Sequence, residues 1–285
     1  MDQNTRQITY LNDTDKDKLA IVYGNIQGSI VANTLSGRLK NTQYVGGDMV
    51  RGGTVKVRRF KSSVVQDYGT ARTAQAGNKL QNNGVDVLIN TDRELAEEMT
   101  SKDLQLYNFG GVSNVFASRQ QDFATAMGIE LENAYFAALV AASATVDLSG
   151  ESTVEDKVLK LIRTAEAVSN ENVNKVNRSD LILTLSPAAY DALRKYMTTL
   201  ESADLAEIDR RLFHGVQVEL SLYQDVDAII QYRGAVAQPV VMDDVRVERL
   251  PLSSEQAVYM AFYYGTKVLM SDLCFKGAIV GDISA

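Results

Sequence analysis

Apolar positions recur along the chain at several spacings, and each spacing predicts a different element. From Val115 to about Ala144 the spacing is helical: Phe116, Phe123, Met127, Ala134 and Ala138 are 7, 4, 7 and 4 residues apart and form one stripe. About thirty residues at about 1.5 Å each span roughly 45 Å, far beyond the usual mean of about 11–12 residues. Gly128 lies inside this run as a point of bending. The stripe contains small alanines and is not sustained over several heptads, so it predicts an intramolecular core helix and not a coiled coil.

A two-residue alternation replaces this rhythm upstream. Val85, Val87 and Ile89 share one face of a strand, with the turn signal Asn83-Gly84 just before it. Val55 to Phe60 reads as a second strand with partial alternation, after the breaks at Gly46-Gly47 and Gly52-Gly53. The residues between the two strands are rich in Ser, Thr, Gln, Asn, Gly and Ala and form a long polar, hairpin-like excursion. Loops of that length inside a compact domain are usually functional or disordered. Residues 1 to about 45 are polar, with the charged run Asp13 to Lys18, and read as an arm with little core of its own.

Two capping boxes predict helix starts. Thr91-Asp92-Arg93-Glu94 opens a short helix through Glu98-Met99, and Ser152-Thr153-Val154-Glu155 opens one carrying Val158, Leu161, Ile162 and Ala165. Asp180 to Leu185 is an apolar strand. Ser186-Pro187 then caps a helix whose apolar face is Ala189, Leu193, Tyr196 and Met197. Ser202 to Arg211 is charged. Residues 215–220, 228–230, 245–250, 257–264 and 268–273 read as strands. The fold class is therefore α+β, with one long helix and one projecting hairpin.

Composition narrows the function. Of 285 residues 45% are apolar, enough for a sizeable core. The balance of 36 acidic to 29 basic residues gives a net charge of −7, which argues against a chain whose main task is neutralising phosphates. The lone cysteine, Cys274, excludes an intramolecular disulfide and Cys-rich zinc sites. The polar start Met1-Asp2-Gln3-Asn4-Thr5 is no signal peptide, and no apolar stretch is long enough to cross a membrane, so cytoplasmic synthesis is expected.

Candidate chemistry is sparse. His214 is the only histidine, stands at a turn into a strand and is read as structural or exposed. Cys274 lies between Leu273 and Phe275 and is read as a buried, inert thiol. Gly24 to Ser29 has the glycines of a phosphate loop but lacks its Lys-Ser/Thr ending. The carboxylate groups at Glu97-Glu98, Glu201 to Asp209 and Asp243-Asp244 are read as solvated surface, the second with the option of facing basic groups on a neighbouring subunit. Lys56, Arg58, Arg59 and Lys61 form one basic cluster, expected to pair with an acidic neighbour. No catalytic residue, cofactor or metal site is expected.

The order of these parts resembles the major capsid proteins of tailed double-stranded DNA bacteriophages, with the Hong Kong 97-like fold. The match rests on the polar arm, the hairpin at 46–90, the long helix, the strand and helix start Leu181 to Tyr190, His214 to Val218, Ala228 to Ala237 and Tyr264 to Val268. The resemblance implies an N-terminal arm at 1–45 and an extended β-hairpin, the E-loop, at 46–90. A peripheral domain with a spine helix follows at 91–178, an axial domain at 179–240 and return strands of the peripheral domain at 241–285. It implies self-assembly through hexamers and pentamers into an icosahedral shell in the host cytoplasm and a place in the virion. Further implied partners are a scaffolding protein, a portal, decoration proteins and packaged DNA held non-specifically. The assembly residues implied on the hairpin are Lys56, Arg58, Arg59, Lys61, Tyr68, Arg72 and Lys79, with Phe116, Phe123 and Met127 in the spine core. Some family members cross-link a hairpin lysine to a neighbour's asparagine; Lys61 and Lys79 have the location for it. The alternatives are an encapsulin-like nanocompartment shell and, from another class, a cytoplasmic enzyme with a carboxylate site.

Placing Phe123 on the core side of the long helix has a measurable consequence. Phe123→Ala should destabilise the subunit by about 3–5 kcal/mol, read as a lowered thermal melting point; an unchanged melt contradicts that placement.

Overall fold

The computed structural model describes residues 34–61, 82–99, 112–199, 212–242, 246–249 and 256–280. In chain order the first elements are α1 (Leu35–Leu39), β1 (Thr54–Phe60), β2 (Asn82–Leu88), β3 (Thr91–Met99), α2 (Val112–Ala142), β4 (Ala144–Thr145), α3 (Val154–Glu166), β5 (Leu181–Leu185) and α4 (Pro187–Thr199). They are followed by β6 (Leu212–Phe213), β7 (Val216–Leu220), β8 (Ala228–Tyr232), β9 (Val236–Ala237), β10 (Val240–Met242), β11 (Arg246–Arg249), β12 (Gln256–Tyr264), β13 (Lys267–Val268) and β14 (Cys274–Gly277). The chain divides into two compact units. One holds the described residues within Met1–Arg38, Asn90–Glu132 and Val240–Tyr264; the other holds those within Leu39–Ile89, Asn133–Pro239 and Gly265–Ala285.

The first unit is organised around β12. Along one edge β3 pairs with it antiparallel over nine residues, from Thr91 opposite Tyr264 to Met99 opposite Gln256. Its other edge is shared by β10 and β11. The helix expected at 91–99 is thus a strand. Thr91 and Glu94 do fit a capping box, but a local helix signal is weak against a full-length ladder. The partner strand supplies that ladder with the aromatic residues that pack well on a pleated surface, among them Tyr259, Phe262, Tyr263 and Tyr264. Three groups then tie sheet to helix. Glu130 of α2 accepts from Arg93 Nε at 2.6 Å and from the Tyr264 hydroxyl at 2.8 Å. The Arg93 hydrogen bond is the main reason the Glu130 carboxyl stays below its ordinary range, while burial and Glu130 together push the Tyr264 hydroxyl up to about 12.

The end of the arm also has a place in this unit. Glu132, itself buried, accepts through Oε1 from the backbone N–H groups of Leu35 and Ser36 at the start of α1. Burial raises its pKa, against the two N–H groups that favour the charged form. Leu35 is buried in this unit, and Leu39, which belongs to the second, is buried there. Gly128 is buried as well. A Cβ there would stand 2.9 Å from Thr34 Cγ2, so the residue permits close approach of the arm.

Helix α2 has the expected extent, but its buried rows differ from the predicted stripe. Phe123 and Met127 are buried as expected, and the rows continue through Leu131, Tyr135 and Leu139, with Ala124 and Phe136 beside them. Ala134 and Ala138 are half-buried and lie at the margin. The Phe116 side chain lies outside the described residues.

The second unit contains a six-stranded sheet in the order β4-β14-β8-β5-β7-β6. All five residues of β5 are buried, which is why it reads as an unbroken apolar run. It pairs parallel with β7 and antiparallel with β8. Val158, Leu161, Ile162 and Ala165 of α3 and Ala189, Leu193 and Met197 of α4 share one core with Leu181, Leu183 and Leu185. The α4 start is as predicted: Ser186 Oγ accepts from the Ala189 N–H at 3.4 Å and Pro187 takes the first helical position. The α3 cap is shifted by one residue. Thr153 accepts from the Asp156 N–H at 3.1 Å and donates to the Asp156 carboxylate at 2.7 Å, so the cap is Thr153 with Asp156 and not Ser152 with Glu155.

The last C-terminal strand also differs. Instead of a strand over 268–273, β13 ends at Val268, a 3₁₀ turn spans Ser271–Leu273, and β14 begins at Cys274 between β8 and β4. Cys274 is buried, and burial pushes its thiol up to about 12, so it is inert. From α2, the Tyr135 hydroxyl donates to Gln231 Oε1 at 3.0 Å and the Val140 carbonyl accepts from Lys276 Nζ at 2.9 Å.

Candidate assembly interface

The hairpin is antiparallel, with Thr54 opposite Leu88 through to Phe60 opposite Asn82. Residues 62–81, the rest of the excursion, lie outside the described residues, and with them Tyr68, Arg72 and Lys79. The described root meets the alternation expected of it. Val55, Val57, Val87 and Ile89 are buried, Val85 is half-buried, and Lys56, Arg58 and Asp86 are exposed. On the inner face Val57 and Val87 pack with Ala237 and Leu269, bordered by Tyr44, Val85 and Met270. This is a small cluster, so apolar burial alone gives the ribbon a narrow footing.

Polar contacts and one glycine complete the attachment. The preceding chain pairs with β1: Val45 N–H donates to Lys56 O at 2.8 Å and Lys56 N–H to Gly46 O at 3.0 Å. The break at Gly46, Gly47 and Gly52 has positive φ at all three, and Gly52 N–H closes onto Ile89 O at 3.0 Å. At the other strand a Cβ on Gly265 would lie 2.0 Å from the Leu88 carbonyl oxygen, so only glycine allows the return segment to pass there. Two residues on, Lys267 Nζ donates to Asp86 O at 2.9 Å.

The charged residues of the root fall into two groups. Arg59 makes a bidentate pair with Asp272, at 2.7 and 2.8 Å, and Asn170 Nδ2 adds a third bond to that carboxylate at 2.5 Å. Both partners are largely covered, at 13% and 28% side-chain exposure. Burial works to raise the Asp272 pKa, but the Arg59 and Asn170 hydrogen bonds outweigh it and hold the carboxyl below its ordinary value. Lys61 pairs with Glu171 at 2.5 Å, and Glu171 is 78% exposed, so this second pair contributes little to stability. Arg59 and Lys61 are therefore engaged by carboxylates of their own chain. Lys56 and Arg58 are exposed and, among the described residues, have no ion-pair partner.

The remaining candidates are scattered. His214 is exposed, at φ 47, and contacts Glu155 through Nε2 at 3.0 Å; Glu155 also accepts from the Tyr196 hydroxyl at 2.5 Å. Glu97 and Glu98 lie on β3. Gly24 to Ser29, Glu201 to Asp209 and Asp243-Asp244 lie outside the described residues. Among the described residues no three His, Cys, Asp or Glu side chains group to hold a metal ion, and no helix is long and apolar enough to cross a membrane. Sequence reading missed Asp272, Asn170 and Gly265, which fix the root. Only Gly265 carried a local signal, a glycine between two strands.

No family model and no curated relative matches the chain. Solved structures do. The chain is similar to one from Mycobacterium phage Che8 at 17% identity and a TM-score of 0.61, covering 88% of this chain and 93% of that one. It is similar to a chain of the capsid of cyanophage P-SCSP1u at 13% identity and a TM-score of 0.56, covering 86% and 88%. It is also similar to a chain of the virus-like particle from Pyrococcus furiosus at 14% identity and a TM-score of 0.55, covering 91% and 97%. The chain thus has the α+β, Hong Kong 97-like fold of phage capsid structures.

The Arg59–Asp272 clamp has a definite pH signature. The Asp272 pKa is lower folded than unfolded, where it is about 3.9. Its contribution is therefore complete above the unfolded value and disappears as pH falls through the folded one. Asp272→Asn should cost about 1–2 kcal/mol at pH 7, discounted for partial exposure. In denaturant melts the gap between variant and parent should hold above about pH 4 and narrow progressively as pH falls below it. A gap that stays the same size throughout the acid range contradicts the clamp.

Proposed function

We propose that this chain is the major capsid protein of a tailed double-stranded DNA phage, self-assembling into the icosahedral shell around the genome. One observation carries the reading: the root of a long polar hairpin is clamped into the body at Arg59, Gly265 and the Val57–Val87 cluster, while the sequence between Ser62 and Gln81 has few apolar residues to bury. A two-stranded ribbon of that kind is marginal alone and gains stability when a second copy supplies contact area. The fold likeness over most of the chain supports the same reading.

In this reading residues 1–45 are the arm and 46–90 the E-loop. Residues 91–178 and 241–285 form the peripheral domain, with α2 as spine, and 179–240 the axial domain. The chain assembles with itself through hexamers and pentamers, works with a scaffolding protein, a portal and decoration proteins, and contacts packaged DNA without sequence preference. Assembly takes place in the host cytoplasm and the product is the virion shell. The role is mechanical and requires no catalytic residue. Lys56, Arg58, Tyr68, Arg72 and Lys79 are the hairpin residues that face a neighbour, and Phe116 belongs to the spine core.

A second reading, an encapsulin-like compartment, is favoured by the likeness to the Pyrococcus furiosus virus-like particle. The contents of purified particles separate the two: duplex DNA from infected cells supports the first, a packaged enzyme the second.

Deleting Ser62 to Gln81 should leave a subunit with an unchanged melting transition that forms no closed shells in electron micrographs. Shells of normal diameter from the deleted chain contradict the role given to the hairpin.

A further inference from the structure

Beside the hairpin root the second unit holds a cavity of about 320 Å³, at the lower end of the range for ligand pockets, about 300–1,000 Å³. Its floor is apolar: Val176 and Leu273 are buried, Tyr232 and Met270 half-buried. Its rim is cationic. Arg58 comes from β1 and Lys175 from the loop ahead of β5. Both are exposed and, among the described residues, without an ion-pair partner. Arg59 is also on the wall but is engaged by Asp272. Asp180 is the one carboxylate of the lining, so an occupant meets two unengaged cations against one anion.

Lys175 has a further peculiarity. Its φ is 61, in the left-handed region that glycine and asparagine enter more readily than lysine. Its N–H donates to Val168 O at 2.9 Å, which fixes the loop in that form. The fold thus holds a lysine at the rim in a conformation that lysine does not favour by itself.

A cationic rim over an apolar floor selects carboxylates interleaved with aliphatic side chains. Residues 201–209 of this sequence, Glu-Ser-Ala-Asp-Leu-Ala-Glu-Ile-Asp, supply four carboxylates, no cation, and Leu205 and Ile208 three residues apart. Of the other acidic runs, Asp13 to Lys18 dilutes three aspartates with two lysines and carries no aliphatic residue, and Asp92 to Glu98 is already engaged as strand β3 against β12. A nucleic-acid phosphate chain complements the rim but leaves the floor without a partner. We infer that the pocket at the hairpin root receives residues 201–209 of a second copy. This rests on the shell reading above. Repeated presentation of many copies lets a modest contact of this kind hold.

The test uses particles assembled from equal parts of isotopically light and heavy chains. They are treated with a zero-length carbodiimide, which joins amines to carboxylates, and digested for mass spectrometry. Mixed light–heavy peptides joining Lys175 to Glu201, Asp204, Glu207 or Asp209 are expected. Arg58→Glu should lower their yield about tenfold, as reversal of a complementary charge does, and Glu207→Lys should do so from the other partner. Links found only within light or within heavy chains overturn the inference, since the segment then occupies its own pocket. Particles that form with no such link overturn it and leave the shell reading standing. Retention of a labelled DNA duplex that Arg58→Glu abolishes, again with no link, overturns it in favour of a nucleic-acid rim. A chain that forms no particles removes both readings.

Discussion

A two-stranded antiparallel ribbon has one face to bury and almost nothing to bury it against, and this constraint governs the rest of the molecule. At its root the constraint is met within the chain. Val57 and Val87 find Ala237 and Leu269, the Leu88 carbonyl passes the bare Cα of Gly265, and Arg59 locks onto Asp272. Each contribution is small. A bidentate pair in a partly covered position is worth more than a surface pair such as Lys61–Glu171, because screening by water is reduced. Together they fix the described root of the hairpin against its unit, and in the shell reading that is what lets the rest of the excursion meet a partner in register.

Each compact unit is built on a sheet of its own. In one, β12 is paired over its whole length with β3 and, on its other edge, at its two ends with β11 and β10. In the other, β5 lies between β8 and β7 with every residue buried and two helices sharing its core. The segment just before the hairpin, residues 45–53, and a segment distant in sequence, residues 265–272, are both used to hold it. The proposed shell function assigns the rest of the excursion and the arm to contacts with other copies.

Much of this was legible in the sequence because it is local. The long helix, both hairpin strands, β5 and the Ser186-Pro187 start of α4 each follow from periodicity or a cap within a short window. The failures share a cause. Thr91 to Glu94 satisfies a capping box, yet β12, more than 160 residues away, decides that β3 is a strand. The Arg59–Asp272 clamp joins residues 213 positions apart, and no spacing rule reaches that far. On α2 the predicted stripe includes the buried Phe123 and Met127 but continues through Ala134 and Ala138 at the margin, whereas Leu131, Tyr135 and Leu139 are the fully covered residues there. The buried face of α2 also carries Gly128 and Glu132, so residue type alone does not mark its deepest row. The shift of the α3 cap from Ser152 to Thr153 is a smaller case: two adjacent hydroxyl residues are both followed by a carboxylate three positions on, and only the geometry chooses.

The central claim is that the hairpin is anchored by its own chain at the root and completed by another copy beyond it. Amide hydrogen exchange on dissociated subunits and on assembled particles tests this most directly. The account predicts that β1 and β2 are protected in both, and that exchange across residues 62–81 slows sharply only in particles. Equal protection of 62–81 in the isolated subunit would mean that the ribbon is already satisfied by its own chain, and the account would be wrong.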